Sequence, residues 1–203
     1  MPQLLARDVI GRWPGCFECP TSVDSRPMGI HDDIGPRIAA LLAQGRRHLE
    51  RNEYADAEHC YALVLEADDS RWEGYLGLAH ASFALGRPAD ALRFAPEAIR
   101  RSPQCLPAYQ IMATLGIRGG VADRAIELLE FGAQHMPLEP QMFEWLVILY
   151  ATTGRDNDLR NCVVHYARLR QLSVPETVLL FSRAPDLAED IRSRIAASAR
   201  GLP

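Results

Sequence analysis

A chain of 203 residues with 48% hydrophobic side chains can bury a core, which excludes global disorder. Its 26 acidic and 22 basic residues are interspersed and leave a net charge of -4, so no basic stripe is offered to nucleic acid. No apolar run reaches the roughly 18 to 20 residues that crossing a bilayer requires, which predicts no membrane insertion.

Residues 1–34 read as an irregular N-terminal segment, broken by Pro2, Pro14, Pro20 and Pro27. A short amphipathic piece is expected around Leu4, Leu5, Val9, Ile10 and Trp13. The segment lacks the long apolar stretch of a secretory leader, so a cytoplasmic location is expected. Five scattered cysteines, Cys16, Cys19, Cys60, Cys105 and Cys162, make no disulfide framework and suit a reducing compartment. Cys16-Phe17-Glu18-Cys19 is a C-x-x-C pair with no histidine after it and no second pair at zinc spacing. A metal or redox protein built on that pair is one alternative; two thiols in an irregular tail is the preferred reading.

From residue 38 a period of 34 organises the chain. Ala57, Ala91 and Ala125 keep that step, as do Gly86, Gly120 and Gly154, and then Tyr75, Tyr109 and Phe143. Leu78, Met112 and Leu146 repeat it, and Pro103 and Pro137 repeat it once more. A fixed period of this length marks stacked helix-turn-helix units. The frames run 38–71, 72–105, 106–139 and 140–173, inside a repeat region of 35–173.

Within each frame, small residues let the first helix (A) and second helix (B) approach closely: Gly45 with Ala57, Ala79 with Ala91, Ala113 with Ala125. The fourth frame has Val147 and Leu159 instead, which predicts wider spacing. Leu41, Tyr61, Tyr75, Leu78, Tyr109, Met112, Leu129, Phe143, Leu146 and Tyr150 are the candidate core. Gly86, Gly120, Gly154 and Asn52 occupy the turns, where a left-handed residue ends each A helix. Pro96 falls inside the second B helix, so a bend or early break at Phe94–Pro96 is expected. Residues 174–203 read as two C-terminal capping helices, with Leu187, Ile191 and Ile195 as an apolar stripe and Glu189, Arg192 and Arg194 facing away. Asp32-Asp33 and Asp68-Asp69 read as helix caps.

The pattern resembles the tetratricopeptide repeat, with large residues at places 4, 7, 11 and 24 and small ones at 8, 20 and 27. The resemblance covers about two thirds of the chain. It implies an all-α, right-handed α-α superhelix that binds another protein or peptide on its concave side, without catalysis and without a cofactor. In that family the A helices line the concave side. The matching positions here are Leu42, Arg46 and Leu49, then Glu73, Leu76, His80 and Phe83, then Gln110, Thr114 and Ile117, then Glu144 and Ile148. Apolar anchors with isolated polar groups between them suit an apolar peptide or an amphipathic helix. Replacing Leu76 and Phe83 by aspartate is expected to abolish capture while leaving the fold intact.

Repeat domains that grip the C-terminal carboxylate of large heat-shock chaperones use a set of Lys, Asn and Arg residues. Leu42, Arg46, Gly77, Pro107 and Ile111 stand at those places, so that clamp is absent. The stretch Asp69 to Ala79 also resembles the junction of repeats one and two in translocator chaperones of type III secretion. That resemblance implies a cytoplasmic chaperone as a second alternative. Open solenoid ends add the expectation of a homodimer. No nucleophile elbow, phosphate loop or metal spacing among the six histidines is present, so no enzyme activity is expected.

Overall fold

Left-handed residues punctuate this chain at regular intervals, and each one closes a helix. Asn52 has φ 61°, Gly86 72°, Gly120 71° and Gly154 75°, all at the A-to-B turns. The structure, a computed structural model, describes residues 34–184 and 187–200. Among these residues there are ten helices and no strand. They are α1 (Ile34–Glu50), α2 (Tyr54–Ala67), α3 (Trp72–Ala84), α4 (Pro88–Arg101) and α5 (Leu106–Gly119), then α6 (Ala122–His135), α7 (Pro140–Thr153), α8 (Asp156–Leu169), α9 (Val174–Ser182) and α10 (Glu189–Ser198). Pro103 and Pro137 follow the ends of α4 and α6, and Pro107 sits in the first turn of α5, where its missing N–H costs little. The described residues divide into two compact units, 34–112 and 113–200.

In the unit of residues 34–112, α2 packs against both α1 and α3, and α4 packs on α3. Tyr61 of α2 is the centre of this arrangement. Its ring is 1% exposed and is met by Gly45 of α1 and Gly77 of α3, two positions that have no Cβ. A Cβ at Gly45 would lie 2.8 Å from the ring tip, and one at Gly77 would overlap the ring base. Leu49, Ala57, Leu78 and Ala81 complete the cluster around that ring, with Leu42, Leu65 and Phe94 packed on its edge. The buried side of α1 therefore runs through Ile38, Gly45 and Leu49, while Leu41 is only half buried.

Two expectations fail in this unit. The α4 helix runs unbroken from Pro88 to Arg101 through Pro96. Ala91, Ala95, Ala98 and Ile99 are fully buried on both sides of the proline, so packing outweighs the lost backbone bond. Asp68 caps no helix N-terminus; its carboxylate accepts from the Ser70 N–H at 3.0 Å and from Arg71 Nε at 3.0 Å, ordering the loop before α3. Tyr75 is half buried because Arg101 covers it, with the guanidinium 4.0 Å from the ring centre and Nη2 donating to the hydroxyl at 3.0 Å.

In the unit of residues 113–200, α7 packs on α6 and α8, α9 packs on α8, and α10 folds back on α7, α8 and α9. Val147 and Leu159 are fully buried, so the fourth helix pair closes over bulkier side chains. The α9 helix starts with a reciprocal cap in which Ser173 and Glu176 each satisfy the other's backbone N–H. Of the α10 stripe, Leu187 and Ile195 are buried and Ile191 is half buried.

Arg192 and Arg194 do not simply face away. Arg194 Nη1 donates to the Ala151 carbonyl at 3.0 Å and Arg192 Nη1 to the Ser182 carbonyl at 3.3 Å, while Arg160 Nε reaches the Ser198 carbonyl at 3.1 Å. Guanidinium groups here serve the carbonyls that helix ends leave without partners. Arg194→Ala is expected to loosen α10 by about 1 kcal/mol, seen as faster amide exchange across residues 189–198. Unchanged exchange there would show that the arginine does not fasten this helix.

Candidate functional site

The A helices α1 and α3 carry the first seven candidate positions. On α1, Leu42 is half buried, Arg46 is exposed and Leu49 is buried as part of the core cluster. On α3, Glu73, His80 and Phe83 are half buried and Leu76 is only 3% exposed. Their distribution follows from α3 being the middle helix of its unit. Seven of its thirteen residues are buried, including Gly74, Gly77, Ala79 and Ser82. Leu42 and Phe83 are the two apolar candidates of this unit that keep part of their surface open.

Electrostatics on this face are dominated by burial. The His80 imidazole is pushed down to about 4 because its surroundings disfavour the imidazolium. Glu73 Oε2 is buried and accepts no hydrogen bond among the described residues. Gln110, on the part of α5 in the same unit, is buried as well.

In the unit of residues 113–200, Ile117 is half buried, whereas Thr114 and Ile148 are buried. Glu144 is half buried and is turned to its own helix pair. The Tyr166 hydroxyl of α8 donates to its carboxylate, and the charge of Arg170 lies close by. Burial nonetheless raises the Glu144 carboxyl above its usual range. Cys162 is buried and donates to the Phe143 carbonyl at 3.4 Å, and burial pushes its thiol up to about 12. A thiol so held is a small packing group, not a nucleophile. The C-x-x-C pair at Cys16 and Cys19 and the Asp32-Asp33 pair lie outside the described residues.

No family model matches the sequence, and no curated protein matches it. Solved structures do match. The chain superposes on the MamA protein with a TM-score of 0.62 at 16% identity, over 81% of this chain and 88% of that one. It superposes on PilF of Pseudomonas aeruginosa with a TM-score of 0.57 at 18% identity, over 82% of this chain and 73% of that one. A thermophilic TPR protein of Thermus thermophilus matches with a TM-score of 0.51 at 17% identity, over 79% of this chain and 98% of that one.

The chain has a tetratricopeptide-repeat fold.

In this tetratricopeptide fold α1 packs on α2, α3 on α4 and α7 on α8, and α9 and α10 come last in the chain. No helix is long and apolar enough to cross a membrane among the described residues. The turn of the first hairpin holds a cluster that linear spacing does not reveal. His48 lies in the last turn of α1, Glu53 is the N-cap of α2 and Asp56 lies in its first turn; His48 Nδ1 lies 2.7 Å from Glu53 Oε2, and the three ligand atoms fall within 4.8 Å of one another. The 48–53–56 spacing fits no helical period because it crosses the turn at Asn52. Only the left-handed residue at Asn52 could have hinted that the two helix ends meet.

Proposed function

We propose that the chain is a non-catalytic protein-binding module, holding an apolar peptide or an amphipathic helix against its A-helix face at α1 and α3. The observation that supports this reading is the half-open apolar surface of Leu42 and Phe83 on two A helices of a tetratricopeptide fold. Arg46, Glu73 and His80 on the same two helices supply the polar groups that would orient an occupant. Covering the two open side chains contributes about 25 cal/mol per Å2, and the remaining contacts of an occupant must offset the freedom it loses on binding.

The structure changes the choice of test residues. Leu76 is 3% exposed, so an aspartate there would strand a charge in the packing of α3 and report on folding. Leu42→Asp and Phe83→Asp act on half-open positions. Expected is at least a tenfold loss of partner capture from native cell extract by the double variant, with its circular dichroism close to wild type. Capture that survives both changes would remove this face from consideration. The character of the partner separates the narrower roles. One partner that is insoluble alone and soluble with this chain would mark a secretion-type chaperone; several soluble partners would mark an adaptor.

A further inference from the structure

We propose that His48, Glu53 and Asp56 form a surface site for one divalent ion of the zinc type, joining the last turn of α1 to the first turn of α2. The donor set is one imidazole nitrogen and two carboxylates, which suits a borderline cation better than magnesium or calcium. The geometry needs little adjustment. Ligand atoms about 2.0–2.1 Å from a common ion lie roughly 3 Å apart, and His48 Nδ1 and Glu53 Oε2 are already 2.7 Å apart. Asp56 closes the third side within 4.8 Å.

The backbone beneath the cluster is fixed, so the donors are placed in advance. Asn52 N–H donates to the Leu49 carbonyl at 3.0 Å and Glu53 N–H to the His48 carbonyl at 2.8 Å. The Tyr54 hydroxyl donates to Asn52 Oδ1 at 2.6 Å, pinning the left-handed residue of the turn. Glu53 stands at the N-cap of α2 without making the side-chain cap bond, so its carboxylate is not committed to the helix. Glu53 and Asp56 are exposed and His48 is half buried, which leaves room for water to complete the coordination. An ion held there would brace the first hairpin, whose A helix, α1, begins the described part of the chain.

The test uses the full chain carrying Cys16→Ser and Cys19→Ser, so that the C-x-x-C pair cannot supply the site. After chelator treatment, titration with zinc chloride in a calorimeter is expected to show about one equivalent bound with micromolar affinity. His48→Ala and, separately, Glu53→Gln are each expected to weaken binding roughly tenfold or more. Zinc at a hundredfold excess over its dissociation constant is expected to raise the Tm of the parent by several degrees, and not that of His48→Ala. Absence of zinc uptake overturns the proposal, as does uptake that the His48 and Glu53 substitutions leave unchanged. Binding lost with the two cysteine substitutions alone overturns it too, by assigning the metal to the tail.

Discussion

Gly77→Ala is expected to lower the stability of the residue 34–112 unit by about 2 kcal/mol, the middle of the range for overpacking a dense core. The reason is the ring of Tyr61, which lies where the new methyl group must go. The nearest ring atoms are Cγ, Cδ1 and Cδ2, at the base of a side chain whose own helix holds it in place. Tyr61 cannot swing aside without dragging α2 away from Leu49 of α1 and from Leu78 and Ala81 of α3, its neighbours in the cluster. Helix propensity alone argues the other way, since alanine is favoured over glycine by up to about 1 kcal/mol in a helix interior. Gly45→Ala provides the comparison. Its methyl would meet the far end of the same ring, Cζ at 2.8 Å, where a small tilt relieves the contact. That variant is expected to be nearly neutral. Thermal unfolding decides: a loss of 2 kcal/mol shifts Tm by roughly 4–8 °C in a chain of this size. Adding Tyr61→Leu should recover part of the Gly77→Ala loss, as two substitutions in contact do not add. A Gly77→Ala protein more stable than wild type would mean that the close approach of α2 and α3 is not a constraint.

Gly77 also shows what the sequence could and could not disclose. The left-handed residues Asn52, Gly86, Gly120 and Gly154 were legible because their requirement is local: a turn that reverses a helix demands positive φ, whatever surrounds it. The need for Gly77 is not local. It comes from a tyrosine sixteen places earlier, and only the crossing of α2 over α3 brings the two together. The same distinction separates the candidate positions. The α1 sequence offers two apolar stripes, one through Leu41 and His48 and one through Ile38, Leu42 and Leu49. Periodicity permits either to face inward. The structure buries Ile38 and Leu49 with Gly45, so Leu49 serves the core and leaves His48 free to meet Glu53. Leu76 and Ile148 lie on A helices as expected and are buried there, because α3 and α7 are each enclosed by helices on more than one side. At Pro96 the local penalty is real but the helix does not break, since four fully buried apolar residues hold α4 together around it. The arginines of α10 bond to carbonyls of α7 and α9, more than forty residues away in one case, and no pattern within the helix announces that.

Stability is expected to fall by about 2 kcal/mol between pH 7 and pH 4.5 through His80 alone, a difference that His80→Gln removes. The sign follows from where the proton goes. Burial lowers the folded-state value of His80 to about 4, whereas an imidazole in the unfolded chain titrates near its ordinary value of about 6.5. Above pH 6.5 the group is neutral in both states and contributes no pH dependence. As pH falls from 6.5 towards 4 the unfolded chain takes up a proton that the folded chain refuses, so unfolding is favoured progressively. Below pH 4 both states are protonated and the loss levels off. The full shift corresponds to roughly 3 kcal/mol, and the half-buried position of His80 argues for a smaller value. Carboxylates titrate over part of the same range, among them Asp68, which is held below its usual value by Ser70 and Arg71 against the opposing effect of its own burial. The comparison with His80→Gln cancels their contribution, because both proteins carry it. Urea unfolding midpoints measured at pH 7 and pH 4.5 should therefore fall further on acidification for wild type than for the variant. Parallel losses in the two proteins would show that the imidazole of His80 reaches water freely on the α3 face.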